Sequence, residues 1–221
     1  MILKKIMKPL CLLSFSLLLP AAAFSQPFSY GVKGGMPLTD FVDAVRAQNI
    51  NASTTTNRYI VGVTGEARLP FGLGVEVDVL YRHFRYSSSG TLSGVASSFN
   101  MDTTSGAWEF PLLAKYRFKG KIVRPFLDGG VAWDKLSGLT QTFQTVPPGV
   151  SISKSTSSPV ELANSTTRGY VLGGGLDLKL LILHITPEVR LTRWGAKHFI
   201  DTTGLVNSKQ NQAEFLVGFT F

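Results

Sequence analysis

The chain has a single cysteine among its 221 residues, and that one, Cys11, lies close to the start. A disulfide framework, a Cys/His metal site and thiol chemistry are therefore excluded from the rest of the chain. Histidine is nearly as scarce: His83, His184 and His198 stand far apart, with no HExxH or other paired ligand spacing. No Lys/Arg run of the kind that tracks phosphates is present, which argues against nucleic acid. Beyond the N-terminus no stretch approaches the ~20 consecutive apolar residues of a membrane helix. A membrane role has to use strands. Gly173-Gly174-Gly175 sits inside a strand pattern with no helix after it to receive a phosphate, so it is no nucleotide loop. These absences leave no cofactor, no metal ligand and no catalytic constellation to assign.

What is present begins with the N-terminus. Met1–Ser25 has the form of a secretory signal peptide: Lys4, Lys5 and Lys8, an apolar run over Leu10–Leu19, then Pro20 and small residues at Ala23 and Ser25. The expected cleavage falls between Ser25 and Gln26, which leaves 26–221 as one domain. The net charge is +8, and removal of those three lysines leaves +5. Cys11 lies too early to be the lipidated residue of a lipoprotein signal.

The last ten residues set the pattern for the remainder. Ala213, Phe215, Val217, Phe219 and Phe221 share one face of a strand; Gln212, Glu214, Gly218 and Thr220 share the other, with Leu216 the exception. An apolar outward face and a polar inward face is the alternation of a strand in a transmembrane barrel. Seven further stretches repeat it: 27–37, 58–69, 73–86, 106–118, 124–136, 168–180 and 183–194. Pro70-Phe71-Gly72, 119–123 and 181–182 read as tight turns. Residues 38–57, 87–105, 137–167 and 195–211 read as long connections, with 141–146 and 150–152 able to extend strands beyond the membrane. The expectation is an all-β fold, an eight-stranded antiparallel transmembrane β-barrel in an up-and-down meander, with short periplasmic turns and long external loops.

Four stretches carry a resemblance: Gly31-Val32-Lys33-Gly34-Gly35, Gly74-Val75-Glu76-Val77, Glu109-Phe110-Pro111-Leu112-Leu113-Ala114-Lys115-Tyr116 and Arg124-Pro125-Phe126-Leu127-Asp128-Gly129-Gly130. Through them the chain resembles the small outer-membrane β-barrel domain family, relatives of the eight-stranded proteins A and X of bacterial outer membranes. The final Phe221 resembles the C-terminal recognition residue of such barrels. The resemblance implies an outer-membrane location and contact with the barrel-assembly machinery through the last strand. It says little about function.

Charged residues make up 16% of the chain, and in the strands most of them keep to one parity. Lys33, Glu66, Arg68, Glu76, Asp78, Arg82, Glu109, Lys115, Arg117, Asp128, Asp134, Asp177, Lys179, Glu188, Arg190 and Glu214 would all point into one lumen. A lumen of eight strands is just wide enough for side chains to fill. Charges there have to pair and hydrogen-bond, so the primary reading is a plugging ion-pair network and the competing one a narrow ion pathway. On the apolar parity, Tyr30, Tyr59, Tyr81, Trp108, Phe118, Trp133, Tyr170, Phe219 and Phe221 are candidates for two interfacial aromatic girdles. Arg85 and Arg193 share that parity near the external strand ends, with Lys135 and Lys197 nearby. They are candidate contacts to lipopolysaccharide phosphates, or they snorkel to water.

The expected role is that of a monomeric structural or surface-interaction barrel. Two readings compete with it. A lipid-modifying outer-membrane enzyme would need a Ser/His pair at one rim, and His83 near Ser87–Ser89 is the one candidate. A soluble ligand-binding barrel would place the aromatics inside and the charges outside.

Overall fold

Burial alternates residue by residue along most of the chain, and the alternation decides which way the sheet curls. The structure, a computed structural model, describes residues 28–40, 42–44, 50–92, 97–146, 152–159, 162–180, 182–200 and 206–221. The proposed signal segment 1–25 lies outside them. The strands are β1 (Phe28–Pro37), β2 (Val42–Ala44), β3 (Ile50–Arg68), β4 (Leu73–Leu92), β5 (Ser97–Arg117), β6 (Val123–Val146), β7 (Ile152–Thr156), β8 (Thr166–Leu180), β9 (Leu183–Trp194), β10 (Val206–Ser208) and β11 (Asn211–Thr220).

Strands β1, β3, β4, β5, β6, β8, β9 and β11 form a closed antiparallel barrel, each paired with its neighbours in sequence. Pairing of β11 with β1 shuts the ring, from Pro37↔Glu214 to Gly31↔Thr220. Tyr30 and Phe221 extend that ladder by exchanging backbone hydrogen bonds at 3.3 and 3.0 Å. Closure leaves no barrel strand with an unpaired edge in hydrocarbon. Short β2 and β10 pair with each other outside the barrel, and β7 folds back on the end of β6.

The apolar parity faces outward. Phe28, Tyr30, Val32, Val61, Val63, Val77, Leu112, Leu127, Leu172 and Phe219 are all exposed, and the charged parity is buried inside. This orientation is the reverse of a soluble ligand-binding barrel, which buries its apolar face.

At one end the connections are tight. Pro70–Gly72 is a single 3-10 turn with Phe71 at φ 64° and Gly72 at φ 83°. A Cβ on Gly72 would strike the carbonyl oxygen of Arg117, so glycine is required there for space as well as for angle. The aromatic Phe71 in the same turn is 92% exposed. Phe118 N–H closes the next turn on Pro125 O at 2.9 Å.

At the other end the structure departs from the sequence reading. Residues 50–57, 87–92 and 97–105 belong to strands β3, β4 and β5, not to loops. Their Ser, Thr and Gly content suggests a loop in isolation, but in-register partners on both sides of β4 and β5 supply the ladder (Ser87↔Asp102, Asn100↔Gln144). Breaks in register between Thr56 and Ile60 and between Thr104 and Gly106 mark bulges where the barrel wall gives way to this extension. Strands β3 to β7 thus rise well past the ends of β1, β8, β9 and β11, as a screen on one side of the mouth.

Candidate functional site

The lumen is filled by charge in three layers, each held by several strands. Nearest the turn end, Arg117 makes a bidentate pair with both oxygens of Glu66 and donates from Nε to Asp177 Oδ2 at 2.9 Å. Arg124 Nη2 reaches the same Asp177 oxygen at 2.9 Å. His184 Nδ1 lies 2.7 Å from Asp177 Oδ1, and Arg68 Nη1 lies 3.3 Å from His184 Nε2. A guanidinium only donates, so Nε2 accepts and Nδ1–H is left to donate to the carboxylate. Arg68 also approaches Glu66 Oε1 at 3.9 Å.

The middle layer is the densest. Lys33 Nζ donates to Glu76 Oε1, Asp78 Oδ2 and Glu188 Oε1 at 2.7, 3.0 and 3.2 Å, which uses all three of its protons. Arg190 donates to Asp78 Oδ2 at 3.0 Å, to Glu188 Oε1 at 2.6 Å and to Glu76 Oε1 at 3.3 Å. Lys115 pairs with the second oxygen of Glu76, and its ammonium lies 4.3 Å from the centre of the Phe126 ring. Asp128 is buried beside this layer, and its two oxygens make no hydrogen bond to a described residue.

Glu76, Asp78 and Glu188 also present carboxylate oxygens within 4.8 Å of one another, a spacing that could suit a metal ion. Lys33 and Arg190 already occupy the space between those oxygens, so the donor set fits ammonium and guanidinium better than a cation from solution.

The layer nearest the loop end has one guanidinium among several acceptors. Arg82 donates from Nη1 to Glu214 Oε1 at 2.7 Å and to Gln212 Oε1 at 3.0 Å, and from Nη2 to Asp134 Oδ2 at 2.9 Å. Glu109 Oε2 lies 3.3 Å from the same Nη2. The balance of fixed charge therefore changes along the axis. Three guanidiniums meet Glu66 and Asp177 at the turn end, while Arg82 alone meets Glu109, Asp134 and Glu214 at the loop end.

Two inward glycines make room for these side chains. A Cβ on Gly74 would come within 2.6 Å of Glu66 Oε1, and one on Gly173 would strike Asp128 Oδ1. Gly173 is thus a strand glycine that admits a neighbouring carboxylate.

Apolar side chains seal the network. Ile60, Leu80 and Leu216 pack together inside the barrel, as do Leu113, Ala132, Val171 and Trp194. Leu216, the residue that breaks the alternation of the last strand, is fully buried in the first of these groups. Above Arg82 lies a lid of Phe84, Tyr86, Met101, Ala107, Leu136 and Phe199. The Phe199 ring, from the segment after β9, meets Phe84 and Tyr86 edge-on at 6.2 and 5.7 Å. His198, beside it, lies 2.7 Å from Asn164 O and 3.3 Å from Asp134 Oδ2 and so joins the lid to the charged layer.

Fifteen of the sixteen charges assigned to the lumen from sequence lie in or beside these layers. Lys179 does not: its parity is inward, but it is exposed at the rim, one residue from the end of β8. Arg124 and His184 join the network unassigned, although each shares parity with an assigned charge, Asp128 and Glu188. His198 and Phe199 lie in a connection with no periodicity to reveal them.

The girdle candidates form two outward belts. Tyr30, Phe118, Phe219 and Phe221 are exposed at the turn end. Tyr59, Trp108, Trp133 and Tyr170 are exposed towards the loop end. Tyr81 packs on Trp108 there at 5.0 Å between ring centres. Arg85 and Arg193 are exposed and outward, but Arg85 is paired with Asp102 at 3.0 Å. Lys135 is exposed on the outer wall, and Lys197 is half-buried in the segment after β9. His83 and Ser87 lie four residues apart on the outer face of extended β4, roughly 13 Å at ordinary strand rise. The structure does not bring them together as a Ser/His pair.

Residues 24–195 match the family described as outer membrane protein beta-barrel domain. Three solved structures resemble the chain at low identity. The N-terminal β-barrel domain of Pseudomonas aeruginosa OprF is 12% identical over 89% of this chain and 98% of its own, with a TM-score of 0.37. Neisserial surface protein A is 13% identical over 87% and 94%, with a TM-score of 0.40. Ail, the attachment invasion locus protein of Yersinia pestis, solved with the heparin analogue sucrose octasulfate, is 10% identical over 88% and 99%, with a TM-score of 0.38. A comparison with curated protein sequences gives no match.

Proposed function

From the premise that the chain belongs to the outer membrane protein β-barrel domain family, we propose that it is a closed, non-conducting barrel whose work is done at its surface. The turn end then faces the periplasm and the loop end the exterior. The observation that carries the reading is the middle layer, where Lys33 and Arg190 bind the same three carboxylates, Glu76, Asp78 and Glu188. A hydrated ion crossing this level would have to part a buried cluster of shared ion pairs, and breaking one buried pair costs about 3–5 kcal/mol. The Phe199 lid closes the external side a second time. No chemical step is assigned to the barrel.

Delivery follows from the same reading. The segment 1–25 directs export and is removed. The barrel-assembly machinery engages the last strand, whose outward Phe219 and Phe221 lie in the periplasmic belt. The barrel acts as a monomer in contact with outer-membrane lipid.

The competing pore reading has one observation in its favour, the surplus of Glu109, Asp134 and Glu214 around Arg82, which would favour cations at an external entrance. Proteoliposome swelling separates the two. Vesicles carrying the folded protein should swell in small sugars or potassium salts no faster than protein-free vesicles. Swelling in potassium thiocyanate but not in sugars would favour the cation pathway, because the membrane-permeant anion lets potassium enter without a build-up of charge.

A further inference from the structure

The screen formed by β3 to β7 has two faces of different chemistry. Its inner face carries Phe84, Tyr86, Met101 and Phe143, and the first three of these belong to or line the lid. Its outer face continues the lipid-facing wall upward but carries no large apolar side chain over its described central rows. Ser87, Asp102, Thr142 and Ser155 stand side by side in one row across β4 to β7, and Ser89, Asn100, Gln144 and Ser153 in the next. Members of both rows are exposed or half-exposed. The one formal charge in these two rows, Asp102, is neutralised by Arg85 from the row below. The result is a hydroxyl and amide grid that donates and accepts hydrogen bonds, with almost no net charge.

Lower on the wall, and running from β5 round to β9, three cations stand opposite three outward aromatics on neighbouring strands: Trp108↔Lys135, Trp133↔Arg168 and Tyr170↔Arg193. All six are exposed. Amphipathic rings at this level mark the headgroup boundary. Cations beside them lie at the depth of lipid phosphates, and each is held outward by its strand rather than reaching out from a loop.

We propose that this outer wall is a docking surface for the phosphorylated glycolipid of the outer leaflet, lipopolysaccharide, with Lys135, Arg168 and Arg193 on its phosphates and the grid on its sugars. The proposal rests on the outer-membrane placement given above, and it sharpens the role of Arg193 and Lys135 while giving Arg85 to the grid. Continuity with the lipid-facing wall fixes the occupant. At about 3.3 Å per residue, Asn100 stands roughly 26 Å along β5 from Trp108, so a molecule anchored by its acyl chains at the belt has its polar part against the grid. Hydroxyl and amide side chains in register suit the closely spaced hydroxyls of an oligosaccharide, while a plain phospholipid headgroup would reach only the cation row.

The test uses the full mature protein folded in detergent and titrated with lipopolysaccharide, with lipid A that lacks the oligosaccharide, and with dephosphorylated lipopolysaccharide. Bound lipid is read by native mass spectrometry, and folding by the heat-modifiable gel shift. Replacing the three cations (Lys135→Gln, Arg168→Gln, Arg193→Gln) should weaken both phosphorylated lipids, by roughly fivefold per cation removed. Replacing Asn100, Thr142 and Gln144 by Ala should reduce lipopolysaccharide binding to the level of lipid A and leave lipid A unchanged. Wild-type binding that is equal for all three lipids, or folded variants that bind as the wild type does, would overturn the proposal. A barrel that conducts ions yet shows these binding differences would refute the plugged reading and leave the docking surface standing.

Discussion

Arg82 Nη2 and Asp134 Oδ2 meet at 2.9 Å inside the barrel, and the same carboxylate oxygen lies 3.3 Å from His198 of the external lid. One buried contact thus ties the wall to the segment that closes it. Arg82 also holds Glu109 and Glu214. Arg82→Met would leave three buried carboxylates without their guanidinium. We expect a loss of about 3–5 kcal/mol in unfolding free energy, measured by reversible urea titration in vesicles.

The two faces of the barrel wall should respond differently to substitution. Val77 faces outward and is half-exposed, between the inward Glu76 and Asp78. Val77→Lys places a charge in lipid and should cost about 2–4 kcal/mol if the position is near the midplane. Thr64→Val, on the inward parity of the neighbouring strand, removes a hydroxyl without adding a charge and should stay within about 1 kcal/mol of the wild type. The same urea titration reads both.

Phe199 holds the lid through edge-on contacts to Phe84 and Tyr86. Phe199→Ala should free the segment between β9 and β11 without opening the charged layers below. The expected result is faster cleavage by external protease between residues 195 and 210, with an unchanged heat-modifiable shift of the barrel.

Export predicts a defined N-terminus. Intact-mass measurement of the protein purified from outer membranes should give a chain that begins at Gln26, or within a few residues of it.

The fold was legible in the sequence because a lipid-facing barrel imposes one rule on every strand, and strand parity survives composition. That rule gave the closed eight-stranded ring and the inward charges from Lys33 to Glu214. It worked less well where strands leave the membrane. Residues 87–92 and 97–105 are rich in Ser, Thr and Gly, which read as loop until partners in register are known. Lys179 shows the opposite failure: its parity is inward, but depth along the strand, which parity does not encode, leaves it at the rim. Leu216 broke the alternation because it fills an apolar gap between charged layers. His198 and Phe199 were invisible for a different reason. Their places depend on a connection folding back into the mouth, a tertiary event with no local period.

The Lys33–Arg190 layer should block the lumen, and single-channel recording of the folded mature protein in a planar bilayer reads that block without an intermediary. A flat trace is expected in molar potassium chloride, both for the wild type and for Phe199→Ala, because removing the lid leaves the charged layers in place. Steady openings in the wild type, selective for cations, would contradict it and make the buried charges the walls of a pathway.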